Sequence, residues 1–137
     1  MPLTFTMDES AEFADSIKHK IAEFNALHWE ASLRQPLGLK YQDASGHLLA
    51  GLSGRTFGHW LIIDNFWIDA SLRGQGVGSA MLQQAESVAR ERGCRFSLLD
   101  TLDFQAQPFY EKHGYQVHWT QAQYPLTGHK VFMVKNL

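Results

Sequence analysis

Cysteine is nearly absent. Cys94 is the only one among 137 residues, so no intrachain disulfide can form and no thiolate pair can hold a metal. No histidine or second cysteine stands at metal-ligand spacing from it, and the seven histidines contain neither an HxxxH nor an HxH pair. No metal is expected, and Cys94 reads as a small buried apolar residue. Long apolar runs are also missing. None approaches the ~18 to 20 residues that span a bilayer, and the opening MPLTFTMDES has no basic segment ahead of an apolar one. The expectation is a cytoplasmic protein without a membrane partner. Charge is scarce as a block: 12 Lys+Arg against 14 Asp+Glu leave a net −2 with no basic run. Nucleic acid is therefore a poor first guess as partner.

What is present is a length and a 45% hydrophobic content that suit one domain spanning residues 1–137, able to bury about two-thirds of its unfolded surface. No repeat, linker or low-complexity tract divides the chain. Asp8 or Ser10 can cap a helix whose apolar residues Phe13, Ile17, Ile21, Phe24 and Leu27 recur every three or four positions and so turn one face to a core. Arg34-Gln-Pro-Leu-Gly38 breaks that pattern. GLKYQD and HLLAGLSGRTF then flank Ala44-Ser45-Gly46 as a hairpin. GHWLIIDNFWIDA reads as a third strand, apolar on both faces from Ile62 to Ile68, which belongs in the middle of a sheet covered by helices. After a glycine loop, VGSAMLQQAESVARERG is an amphipathic helix with Val77, Met81, Ala85 and Val88 on one face and Gly93 as its stop. CRFSLLD follows as a strand, PFYEKHG as a short helix with Pro108 in its first turn, and YQVHWTQAQY and HKVFMVKN as closing strands.

The loop Leu72-Arg-Gly-Gln-Gly-Val-Gly-Ser-Ala80 places glycines at every second position before a helix. A helix start leaves amides unbonded and carries about half a positive charge, which suits a phosphate. Gly74, Gly76 and Gly78 clear the approach and permit positive φ, and the amides of Gln75, Gly76, Val77, Gly78 and Ser79 can point into one anion nest. Arg73 adds charge or positions the loop. A dinucleotide fingerprint is poorly matched, because Ser79 stands where the third glycine belongs. Asp100, 22 residues beyond Gly78, is placed as a ribose-binding acid would be; that reading requires parallel strands on both sides of the following helix. A Walker A loop is excluded, since no lysine occurs between Lys40 and Lys112.

Ile68-Asp-Ala-Ser-Leu-Arg-Gly-Gln-Gly-Val-Gly78 resembles motif A of the GNAT superfamily of acyl-CoA N-acyltransferases, Arg/Gln-x-x-Gly-x-Gly/Ala, with Arg73, Gly76 and Gly78 at the matching positions. Ala106-Gln-Pro-Phe-Tyr-Glu-Lys-His-Gly-Tyr115 resembles the A-x-x-x-Y-x-K-x-G-F segment of that family's last helix. The resemblance covers nearly the whole chain. It implies an α/β (α+β) fold with a mixed, twisted sheet of about six to seven strands flanked by helices and splayed where acyl-CoA lies. It implies transfer of an acetyl group from acetyl-CoA to a primary amine, without a metal. Backbone groups of Phe66, Trp67 and Ile68 would pair with the pantetheine arm, and one amide there would stabilise the oxyanion. Tyr110 would protonate the departing thiolate as general acid; packing beneath the helix, like Phe109, is its alternative role.

The base is less directly given. Ile62 stands where one version of the family has a glutamate, and it cannot accept a proton. Asp64, two residues on and placed among apolar residues, is the candidate; substrate positioning or a structural hydrogen bond is its alternative. Asp103 stands where the family often has a cofactor-contacting asparagine, so that contact is not carried over. The acceptor, expected to be a small-molecule amine, would meet the N-terminal helical region and the Gln123–His129 loop, with His28, Trp29, His59 and Trp60 approaching. With no obvious nucleophile besides Cys94, transfer is expected to be direct. A non-catalytic acyl-CoA sensor would keep the glycine loop but need neither Tyr110 nor Asp64. Family analogy also allows a homodimer through late strands.

Overall fold

The computed structural model describes residues 2–137, which form two compact units divided after Ser32. The first holds helix α1, Ala11–Ala26, whose N-cap Ser10 accepts a hydrogen bond from the Phe13 amide. The apolar residues expected to face a core lie along α1, yet none of its residues is buried. A single helix has no second layer within its own unit.

The second unit is an open six-stranded sheet with two helices. Its strands are β1 (Arg34–Gln42), β2 (Leu48–Phe57), β3 (Trp60–Ile68), β4 (Phe96–Leu102), β5 (Gln116–Ala122) and β6 (His129–Asn136), in spatial order β1-β2-β3-β4-β6-β5. Helix α2, Val77–Glu91, follows β3, and α3, Gln107–Lys112, follows β4. All neighbouring strands are antiparallel except β3 and β4. β3 is interior, as its two apolar faces predict. β1 starts four residues earlier than the hairpin pattern suggests, because Pro36 falls on an edge strand, where its missing N–H breaks no inner ladder.

Met81, Leu82, Ala85 and Ala89 of α2 pack with Leu37, Leu52, Leu61 and Ile63 of the sheet, and with Leu99, Tyr110 and Met133. Glu86 of α2 is also buried. Its carboxylate accepts hydrogen bonds from the Tyr115 hydroxyl at 2.9 Å and from Lys135 Nζ at 2.8 Å, while Ser97 Oγ lies 2.8 Å from the same hydroxyl. A buried carboxylate is tolerated only when so partnered.

Two irregularities open the sheet. The β3–β4 pairing consists of Trp60↔Phe96, Leu61↔Ser97 and Ile62↔Leu98 and then stops. Next to that point, Ser53 pairs with Asn65 but Gly54 pairs with Ile63, so Asp64 is an extra, bulged residue. A bulge bends its strand and increases the local twist. Opposite it, a Cβ on Gly54 would lie 2.1 Å from the Ile62 carbonyl oxygen, whereas one on Gly51 would find nothing nearer than 3.8 Å. Gly54→Ala should therefore cost about 2–3 kcal/mol through overpacking, and Gly51→Ala should change stability by less than about 1 kcal/mol. Urea unfolding of both variants checks this.

Candidate active site

The strand-to-helix connection after β3 is built from turns. The Asp69 carboxylate accepts a hydrogen bond from the Ser71 amide at 3.0 Å and is also bonded to the Ser71 hydroxyl, capping a 3-10 turn at Ala70–Leu72. These bonds hold its carboxyl below the usual range. Gly74 and Gly76 then take φ of 77° and 75°, and Gly76 is the N-cap of α2. A Cβ at either would meet nothing within 4 Å, so the requirement is conformational. Gly78 differs: it lies within α2, and its Cβ would press on the Phe109 ring at 3.4 Å and on Ile68 at 3.8 Å. That glycine serves close packing rather than positive φ.

The first amides of α2 have no helical partner, while Ala80 N donates to the Gly76 carbonyl at 3.0 Å. Gln75 differs from the expected nest, because its amide donates to the Leu72 carbonyl at 3.3 Å and its side chain to the Ser71 carbonyl at 3.3 Å. Gly76, Val77, Gly78 and Ser79 keep amides for an anion. The Ser79 hydroxyl lies 2.9 Å from His113 Nε2.

Beside this loop, a cleft of about 610 Å³ is lined by Phe66, Trp67, Ile68, Arg73, Gly78 and Tyr110, among others. From Ile63 onward the edge of β3 that faces β4 has no strand partner. The cleft thus offers unbonded helix-start amides at one end and a free strand edge along one wall, which fits a diphosphate joined to an amide-bearing arm. Phe104 and Phe109 supply apolar walls.

Tyr110 is the second phenyl-bearing residue of α3 and is 7% exposed. Its ring packs on Phe66, Phe109 and Tyr115, with centroids 6.5, 5.3 and 5.8 Å away. Burial, helped by the negative charge of Asp100, pushes its phenol up to about 12, so it is a proton carrier throughout neutral pH. It also lines a second cavity of about 390 Å³, shared with Asp64, Asp100, Thr101, Tyr124 and Lys130. Phe66 and Trp67 wall both spaces.

Asp64 reaches that second cavity, but Arg55 Nη1 donates to both its oxygens at 2.7 Å. The charge on β3 therefore has a cross-strand partner. Asp100, whose spacing from Gly78 suits a ribose-binding acid, faces the cavity near Tyr110, with Lys130 Nζ 4.0 Å from its carboxylate. Lys130 also sits 4.5 Å from the Tyr124 ring centroid. Residue spacing carries no signal for these groups, because strand splay and the β5–β6 loop bring them together. Tyr124 of that loop lines the cavity as expected. His59 and Trp60 do not: they lie at the paired end of β3, where the His59 carbonyl accepts from Arg95 and Phe96 and Trp60 packs on Phe96. His28 and Trp29 belong to the N-terminal unit. The Asp103 amide donates to the His129 carbonyl at 3.0 Å, tying the β4–α3 loop to β6. Cys94 is 5% exposed, and burial pushes its thiol up, which makes it a poor nucleophile.

The parallel β3–α2–β4 unit meets the strand requirement of a dinucleotide site, so that criterion alone does not separate the two readings. The antiparallel strands on both sides of the unit, and its three-pair ladder, do.

Comparison with known proteins agrees with this geometry. Residues 5–115 match the Acetyltransferase (GNAT) family. The chain is 42% identical over 95 residues to blasticidin-S acetyltransferase of Streptomyces morookaense, covering 67% of this chain and 68% of that one. It is 29% identical over 105 residues to an acetyltransferase of Agrobacterium fabrum, covering 77% of each. The crystal structure of an acetyltransferase from Bacillus cereus superposes with a TM-score of 0.83 at 30% identity, over 98% of both chains. The protein belongs to the GNAT family of acetyl-CoA-dependent acetyltransferases.

Proposed function

We propose that this acetyltransferase acts on the primary amine of a small molecule by direct transfer, with Tyr110 as the acid. The observation that carries the reading is that Tyr110 lines both the cleft beside the glycine loop and the adjoining acidic cavity. A group there touches the donor from one side and the acceptor from the other. Acetyl-CoA supplies an activated thioester when bound. The amides of Gly76 to Ser79 hold its diphosphate, with Arg73 adding charge, and the free edge of β3 at Phe66, Trp67 and Ile68 aligns its arm. A backbone amide on that edge stabilises the developing oxyanion.

The carboxylate side of the cavity receives the acceptor. An alkylammonium with a pKa of about 10 must lose a proton before its nitrogen can attack. Asp64 is held by Arg55, whose Nη1 donates to both its oxygens at 2.7 Å; among the described residues Asp100 has Lys130 Nζ at 4.0 Å as its ion-pair partner. We therefore assign the proton-accepting role to Asp100, directly or through one water, and a cavity-shaping role to the Asp64–Arg55 pair. As the C–N bond forms, the now cationic nitrogen sheds its second proton to water; as the C–S bond breaks, Tyr110 Oη gives its proton to the departing sulfur and recovers one from solvent. Phe66 and Tyr124 give the cavity aromatic walls, which suit a ring-bearing cation. The 42% identical relative is named for blasticidin S, so that compound heads the acceptor panel, followed by tyramine, spermidine, glucosamine and a peptide N-terminus.

Free-CoA release with acetyl-CoA and this panel tests the reading. Turnover of at least one amine supports it; stabilisation by CoA with no turnover of any amine would favour a sensor. Gly76→Ala should weaken CoA binding about tenfold, because a Cβ at φ 75° is strained, as read by calorimetry. Tyr110→Phe should lower kcat by about 10- to 100-fold with CoA affinity unchanged. Asp100→Asn should lower kcat/KM at pH 7 more than Asp64→Asn does. Its defect should shrink as pH approaches about 10, where the free amine no longer needs a base.

A further inference from the structure

Lys130 places a positive charge in the cavity that is to receive an alkylammonium, and a plain amine gives that charge nothing to do. The residue belongs to β6, where it pairs with Leu102 of β4 and Gln121 of β5. Asp100 pairs with Phe132, two positions further along β6. Asp100 and Lys130 are therefore diagonal neighbours on one face of the sheet, within reach of a long side chain. Lys130 Nζ stands 4.0 Å from the Asp100 carboxylate, 4.5 Å from the Tyr124 ring centroid and 5.9 Å from that of Phe132. Its side chain is only 22% exposed. The loop beside it is closed by the Tyr124 amide, which donates to the Gly128 carbonyl at 2.9 Å.

The charges of the cavity balance in pairs. Arg55 neutralises Asp64 through two contacts of 2.7 Å, and Lys130 balances Asp100. At 4.0 Å the second pair attracts without a hydrogen bond, so the three ammonium donors and the carboxylate oxygens stay available to a ligand. A monoamine bonded to Asp100 would leave the Lys130 ammonium, largely withdrawn from water, without an anion, which is costly. A dication would add repulsion. An acceptor that carries a negative group beside its amine satisfies both charges together.

We propose that Lys130 determines acceptor specificity by binding a carboxylate of the acceptor, which makes α- and β-amino acids the preferred class, with the aromatic walls at Phe66 and Tyr124 taking an apolar ring. The short gap between Asp100 and Lys130 sets the spacing. One or two carbons between amine and carboxylate put the two charges side by side, whereas an ω-amino acid holds them further apart. The inference rests on the cavity as the acceptor site of acetyl transfer.

Free-CoA release at saturating acetyl-CoA is measured for L-phenylalanine, 3-amino-3-phenylpropanoate, L-phenylalaninamide and phenethylamine. For the better of the two amino acids, kcat/KM should exceed that for phenethylamine by about 10- to 100-fold, the range of a charge-assisted hydrogen bond. Lys130→Met keeps the length of the side chain and removes its charge; it should reduce that ratio by a similar factor, and Lys130→Arg should restore most of it. The ratio is read rather than either rate, because losing the ammonium also alters the surroundings of Asp100, and differences in amine basicity cancel between the two proteins. 3-Phenylpropanoate, which has the carboxylate and no amine, should compete with the acceptor in the native protein and about tenfold more weakly in Lys130→Met. Native selectivity and this inhibition remain tests even where a variant fails to fold. Turnover confined to amines without a carboxylate, no inhibition by 3-phenylpropanoate, or a carboxylate preference that survives in Lys130→Met overturns the proposal and leaves the small-molecule amine reading standing. Absence of turnover with these four and with every amine of the panel above removes that reading and this inference with it.

Discussion

Three residue pairs join β3 to β4, and the rest of the site depends on the ladder ending there. Up to Ile62↔Leu98 the strands behave as ordinary parallel neighbours. Beyond it, the extra residue at Asp64 turns β3 away. A continued ladder would satisfy the backbone groups of Ile63–Ile68 and leave no room for a ligand. Interruption leaves those on the edge facing β4 without a strand partner along a cleft, while the other edge stays paired with β2, a condition that a sheet interior tolerates only where something else supplies partners. Gly54 makes this geometry feasible from the other side, by letting β2 pass within contact of the Ile62 carbonyl.

The short helix carrying Tyr110 has only six residues and little intrinsic stability. Tertiary contacts hold it. Phe109 packs on Gly78 at one end, and Tyr115 just beyond the other end anchors to Glu86, itself bound to Lys135. Position along the chain and position in space thus serve opposite ends: the glycine loop fixes α2, and α2 in turn fixes α3 through Gly78, Ser79 and Glu86. The glycine loop and Tyr110 are parts of one packed layer.

Much of this was legible in the sequence. The helix periodicity of α2, the two-faced strand and the paired motifs at Arg73–Gly78 and Ala106–Tyr115 marked the fold and family, because short-range pattern carries both. The individual glycine roles were only partly legible: Gly78 looked like a loop residue and turned out to be a packing one, since its neighbour Phe109 lies 31 positions away in sequence. Asp64 drew notice as a charge in an apolar run, but its partner Arg55 is on the adjacent strand. Asp100 and Lys130, which line the second cavity, carry no such mark in the sequence for the same reason. Their meaning is created by register and crossover, which a linear pattern does not carry.

The division of labour between backbone and side chain has an evolutionary consequence. The groups proposed to hold the donor are mostly main-chain amides at the start of α2 and along β3, and they persist through most substitutions. The wall around Asp100, Tyr124 and Lys130 is made of side chains on strand ends and a loop, where change is cheap in stability. A lineage built on this frame can exchange one acceptor for another by a handful of replacements while its donor stays the same.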